Sequence, residues 1–133
     1  GIVRGLHYQT SPFTQSKLVR VVKGKILDVA VDIRRGSPDF LKHIAVELSE
    51  ENKKQLFIPK GFAHGFSVLS SECVVHYKVD GYYKKEAERG IRFDDKTLNI
   101  DWKINRSDVI VCERDRGFPF FEKAEVFDYD KTK

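Results

Sequence analysis

The side chains best suited to moving protons near neutral pH are the four histidines, and their contexts differ. His7 lies in Arg4-Gly5-Leu6-His7-Tyr8-Gln9, between a glycine and an aromatic residue. His64 closes Pro59-Lys60-Gly61-Phe62-Ala63-His64-Gly65, again among glycines and aromatics. His43 and His76 fall on the polar sides of strand-like segments and read as surface or structural histidines. For His7 and His64 a catalytic or binding role competes with plain packing. A neutral imidazole can accept a proton near neutral pH, which is what a general base must do.

These side chains must be positioned by strands, because short β segments separated by turn residues dominate the chain. Leu18 to Val22 and Ile26 to Ile33 flank Lys23-Gly24-Lys25, which reads as a tight hairpin with glycine at positive φ. In the second segment Leu27, Val29, Val31 and Ile33 share one face, against Asp28, Ala30 and Asp32 on the other. His43 to Leu48, Gln55 to Ile58, Gly65 to Leu69 and Cys73 to Val79 continue the pattern. Arg35-Gly36-Ser37-Pro38 and Ile58-Pro59-Lys60-Gly61 are breaks. Helix signals are confined to a turn at Ser49 to Lys53, with Ser49 as N-cap, and another at Lys84 to Arg89. Many short strands at regular spacing predict an all-β sandwich or barrel.

A chain of 133 residues, 41% hydrophobic and 33% charged, suits a single globular domain. No apolar run approaches the roughly 20 residues of a membrane-spanning helix, which argues against a membrane protein. The formal charge of +4 is mild, and the cations are interleaved with acids as in Lys84-Lys85-Glu86-Ala87-Glu88-Arg89. This is no nucleic-acid stripe, and it is compatible with a phosphorylated metabolite. Cys73 and Cys112 are far apart and form no Cys-x-x-Cys pair, so two reduced thiols in a cytoplasmic protein are expected.

The spacing Pro59-x-Gly61-x-x-His64 resembles the second motif of the cupin superfamily, small double-sheet jelly rolls that often hold a metal. The first cupin motif carries a His-x-His, and here only His7-Tyr8-Gln9 is available. No metal site is therefore expected.

The run Gly1-Ile2-Val3-Arg4-Gly5-Leu6-His7-Tyr8-Gln9 looks like the opening signature of the dTDP-4-dehydrorhamnose 3,5-epimerase family. The similarity continues through Gln15 to Gly24, Asp28 to Arg34, Leu48 to Lys53, Ile58 to Phe66 and Arg89 to Asp95, in the family's order. The resemblance implies a cupin-type jelly roll, with one or two short helical turns, acting on a dTDP-linked 4-keto-6-deoxyhexose on the route to dTDP-L-rhamnose. Protons on C3 and C5 flank the C4 ketone, so each can be removed to give an enolate and returned on the opposite face without any cofactor. Narrower action at C3 or C5 alone, and a non-catalytic sugar-nucleotide-binding module, are the alternatives.

Residue by residue, the resemblance implies that His7 is the base and Asp115 its carboxylate partner, with Asp108 the competing aspartate. Lys17 matches the cation beside the ketone oxygen, and Tyr77 the proton donor on the other face. Strand parity puts Tyr77 with Val75 and Val79, facing the barrel interior. Arg4 and Arg20 match diphosphate contacts, His64 a substrate contact and Tyr83 an aromatic near the nucleotide base. Glu88 and Arg114 match further binding positions. Arg4 and His7 lie on opposite faces of an ideal strand, so both reach one pocket only if the backbone bends, with Gly5 the expected place. Family members carry a further segment before this opening that contributes to nucleotide binding and to a homodimer. Residues 1–133 are accordingly read as one cupin-like epimerase domain lacking that segment. Ser16 also stands where the family has glycine.

Overall fold

A computed structural model describes residues 1–131. Branched and aromatic residues at alternating positions favour a pleated backbone. The strands are Val3–Gln9 (β1), Lys17–Lys23 (β2), Lys25–Asp32 (β3), Arg34–Arg35 (β4) and His43–Ser49 (β5), then Gln55–Ile58 (β6), Phe62–Val68 (β7), Val74–Val79 (β8), Glu88–Gly90 (β9) and Phe127–Asp128 (β10). A five-stranded sheet runs β5-β3-β7-β1-β9, and a three-stranded sheet runs β6-β2-β8. Both are antiparallel throughout, while β10 and β4 form a small parallel pair. The two larger sheets make the double-sheet, cupin-type jelly roll expected from the sequence.

The hairpin expected at Lys23-Gly24-Lys25 is absent. β2 pairs with β6 and β8, whereas β3 pairs with β5 and β7, so the chain changes sheets at this point. Gly24 does hold φ +80, and a Cβ there would lie 2.2 Å from the Glu72 carbonyl oxygen. The glycine serves a corner between sheets. Ser49 to Lys53 makes the single turn expected, with Lys53 N–H donating to Ser49 O at 3.1 Å and Asn52 N–H to Ser49 Oγ at 3.0 Å. At Lys84 to Arg89 the turn is a 3-10 segment over Lys85–Ala87, which gives way to β9 at Glu88.

β3 explains how the fold creates an interior with two characters. Its odd positions Val29 and Val31, with Ile33 just beyond its end, are fully buried against an outer layer that includes Trp102, Leu98 and Phe127. Its even positions Ile26 and Ala30 face Val19, Val21 and Ile58 between the two sheets. Asp28 shares that second face and is also fully buried. The space between the sheets thus carries apolar and charged side chains on one face, with Asp28 between Ile26 and Ala30. Trp102 pins the outer layer, with its indole N–H donating to Phe93 O at 2.8 Å and its carbonyl accepting from Ser67 Oγ at 2.7 Å. Trp102→Ala is expected to lower the free energy of unfolding by about 3–5 kcal/mol in a urea titration. A loss below about 1 kcal/mol would show that the outer layer is not packed as described.

Candidate active site

The site begins with an irregularity in β1. Against β7, Arg4 lies opposite Phe66 and His7 opposite His64, so three steps along β1 match two along β7. The extra residue is a β-bulge, which turns Arg4 and His7 toward the same cleft. Gly5 sits in it with φ +116, and a Cβ there would lie 2.6 Å from Gly65 Cα and 2.7 Å from His64 O. Only glycine fits both the angle and the approach. The bend expected at Gly5 is therefore present.

The bulge is locked from the far end of the sequence. The short helix Glu113–Arg116 (α1) points Asp115 at β1, where its side chain is 1% exposed. Oδ2 accepts the Gly5 N–H at 2.9 Å, and Oδ1 lies 2.8 Å from His7 Nε2. Burial pushes the Asp115 carboxyl up, but the Gly5 and His7 contacts outweigh it and hold the group below its ordinary value. Burial also pulls the His7 imidazole below its usual value, against the opposing pull of Asp115. His7 is therefore neutral at pH 7, donating Nε2–H to Asp115 and keeping its lone pair on Nδ1. Phe118 stands edge-on to the ring, with centroids 5.4 Å apart. Asp108, the rival aspartate, is exposed and lies in the 3-10 segment Arg106–Asp108 away from His7.

The cleft has a volume of about 770 Å³. β1 and β7 form one wall, with Arg4, His7 and His64, and β2 and β8 the other, with Lys17 and Tyr77. Lys17 and Tyr77 reach it by strand parity, Tyr77 lying with Val75 and Val79 as expected. Burial lowers the Lys17 ammonium from its usual value, and attraction to Asp28 and Glu88 opposes the shift. Tyr83 Oη donates to Glu88 Oε2 at 2.7 Å, and Arg114 pairs with Glu88 Oε1 at 3.1 Å while its guanidinium lies 3.4 Å from His7 Nε2. Eight of the ten predicted site residues thus line one cleft, and Asp115 stands directly behind His7. Arg20 does not join them. It is exposed on the outer face of the three-stranded sheet, opposite Gln55 and His76, because its parity is opposite to that of Lys17 and Val19.

Sequence reasoning overlooked Asp28. Its Oδ1 lies 2.6 Å from His64 Nε2, so a second histidine–carboxylate pair stands across the β1–β7 ladder from the first. The other oxygen, Oδ2, is buried without a hydrogen-bond partner among the described residues. An acid on the inward face of a strand buried on both sides was the available signal. Among the described residues no group of three or more His, Cys, Asp and Glu side chains is placed to hold a metal ion.

A neutral histidine oriented by a buried carboxylate, a desolvated lysine and an opposed tyrosine, in the mouth of a jelly roll, define a cupin-type acid–base isomerase site. A sequence model of the family described as dTDP-4-dehydrorhamnose 3,5-epimerase matches residues 1–123. The dTDP-4-dehydrorhamnose 3,5-epimerase of Shigella flexneri is 50% identical over 127 residues, spanning 96% of this chain and 69% of that protein. Among solved structures, the dTDP-4-dehydrorhamnose 3,5-epimerase of Elizabethkingia anophelis superposes with a TM-score of 0.90 at 46% identity, covering 100% of this chain and 69% of that one. The dTDP-6-deoxy-D-glucose-3,5-epimerase of Legionella pneumophila, solved with dTDP-4-keto-L-rhamnose, gives a TM-score of 0.92 at 45% identity, covering 97% and 69%. The chain belongs to the dTDP-4-dehydrorhamnose 3,5-epimerase family.

In a proton NMR titration the His7 ring is expected to titrate below its usual pKa of about 6.5. Asp115→Asn, which removes the favourable carboxylate charge, lowers the midpoint further. A midpoint above the usual value in the wild type would contradict the desolvated placement of the ring.

Proposed function

We propose that the chain catalyses epimerisation at C3 and C5 of dTDP-4-dehydro-6-deoxy-D-glucose, giving dTDP-4-dehydro-L-rhamnose without a cofactor. The observation that carries this reading is the His7–Asp115 pair, set across the cleft from the wall that carries Tyr77 and Lys17. A base for a carbon acid must be neutral at working pH and fixed in direction, and the Asp115 contact with desolvation supplies both. His7 removes the proton on C3 or C5, and the imidazolium formed is stabilised by Asp115. The charge moves to the ketone oxygen, where the Lys17 ammonium is the stabilising cation. Tyr77 returns a proton to the opposite face. Arg4 and Arg114 are the cationic groups at the cleft available to the diphosphate, and His64, Tyr83 and Glu88 contribute to substrate binding.

The same reading places the enzyme in the cytoplasm as a homodimer, with residues 1–133 forming one catalytic domain. Among the described residues no helix is long and apolar enough to cross a membrane. The absence of a continuous basic stripe in the sequence argues for a nucleotide-sugar substrate over nucleic acid.

The test is incubation with dTDP-4-keto-6-deoxyglucose in D2O, following C3 and C5 by NMR. Deuterium at both carbons is expected. Incorporation at one carbon restricts the reaction to that position, and none at either would refute the assignment. His7→Ala should cut exchange by at least about 100-fold while dTDP binding persists. Lys17→Met should lower kcat by about 100- to 1,000-fold, as expected for a lost enolate-stabilising charge. Tyr77→Phe should slow epimerisation more than exchange, because abstraction survives while delivery to the second face fails. Equal loss of both in Tyr77→Phe would remove that tyrosine from the donor role.

A further inference from the structure

One buried polar side chain close to the base has no part in the mechanism above. Gln9 ends β1 two residues after His7, opposite Glu88 of β9, and is 6% exposed. Its amide is fully engaged with two separate loops. Nε2 donates to Phe13 O at 2.7 Å and to Tyr82 O at 3.3 Å, while Oε1 accepts the Lys84 N–H at 2.8 Å. The loops meet again beyond it. Gln15 Nε2 donates to Gly81 O at 2.6 Å, Ser16 N–H to Asp80 Oδ1 at 2.8 Å, and Lys84 Nζ stands 5.5 Å from the Phe13 ring centroid.

The segment held in this way, Asp80 to Lys84, carries Tyr82 and Tyr83 at the mouth of the cleft. Tyr82 is 96% exposed and Tyr83 61% exposed, so neither is kept in place by burial of its own ring. Their backbone is fixed by hydrogen bonds to a side chain on the strand that carries the base. A glutamine suits this task because its two donors and its acceptor serve carbonyls and an amide at once. A glutamate would turn an acceptor carboxylate oxygen toward two carbonyl oxygens, and an asparagine is one methylene short.

We propose that Gln9 is a positioning residue for substrate capture. It holds the Tyr82–Tyr83 segment at a set distance from His7, so that the two tyrosines close on the nucleotide end of a substrate whose sugar lies at the base. The inference rests on the epimerase reading above and adds to it a residue that acts through the loop and touches no reacting atom.

The consequence is a split between binding and chemistry. Gln9→Met keeps the length of the side chain and removes its hydrogen bonds. It is expected to raise KM for the dTDP-linked keto sugar about tenfold and to weaken dTDP binding in calorimetry by a similar factor. The kcat for deuterium exchange at C3 should stay within about threefold of the wild type. Gln15→Ala, which cuts a single contact to the same segment, should show the same pattern at smaller size and keeps the test available if Gln9→Met does not fold. An unchanged KM in a folded Gln9→Met protein overturns the proposal, as does a fall in kcat with KM unchanged, which would mean that Gln9 serves the base directly. If Gln9→Met does not fold, an unchanged KM in Gln15→Ala overturns it. The functional reading fails separately, through absence of deuterium exchange in the wild type.

Discussion

The buried carboxylate of Asp115 is the constraint on which the site depends. It reaches β1 at two points, the Gly5 N–H inside the bulge and the His7 ring at its end, where Arg4 and His7 are turned to one side. A bulge leaves a backbone amide without its ladder partner, and in a buried setting that amide must be satisfied elsewhere. Asp115 satisfies it with one oxygen and orients the imidazole with the other. The distortion that turns His7 into the cleft and the group that orients its ring are therefore the same local structure. This also explains why a residue 108 positions away in sequence from His7 belongs to the centre of the site.

The polar cleft is possible because the jelly roll divides its interior. β3 lies between two apolar layers along most of its length, and the sheets pack closely around Ile26, Ala30, Val19 and Ile58. The same inward faces also carry Asp28, between Ile26 and Ala30, together with Lys17 and the two histidines. Burial there depresses both the His7 and the Lys17 values, although the two groups have different tasks. For His7 the effect favours the neutral form that can accept a proton. For Lys17 the opposing attraction to Asp28 and Glu88 limits the fall, which favours the charged form that the role proposed for it requires. Asp28 thus bears on both walls, through a contact with His64 and through its charge near Lys17.

Much of this was legible in the sequence wherever one strand decides the outcome. Parity alone turned Tyr77 inward, and the odd spacing of Arg4 and His7 required a bend that the structure places at Gly5. The resemblance brought Asp115 to His7 across a distance that no local pattern could bridge. What was missed depends on which strands become neighbours. Lys23-Gly24-Lys25 has the residues of a hairpin turn, and nothing within it says that β2 and β3 enter different sheets. Asp28 looked like the polar side of a half-exposed strand, because period-2 alternation cannot tell solvent from a polar interior. Arg20 was assigned to the diphosphate by resemblance, yet its own parity sets it on the outer face of its sheet, away from the cleft.

The two walls of the cleft differ in how firmly they hold their groups, and the difference suits the chemistry proposed for them. His7 lies on β1, which is paired on both sides and clamped by Asp115, so the base cannot wander. Tyr77 lies on β8, an edge strand, and remains 57% exposed although it faces inward. Abstraction of a weakly acidic C–H demands a short, well-directed approach, because misplacement by about 1 Å can cost two orders of magnitude in rate. Protonation of an enolate is more forgiving, since the carbanion is basic and the donor needs only to reach the correct face. A rigid base opposite an open donor also accommodates two successive reactions at C3 and C5, because the sugar can shift between them while the direction of abstraction stays fixed. On this reading the asymmetry of the jelly roll, closed and doubly paired on one wall and open-edged on the other, allows one base to serve two carbons.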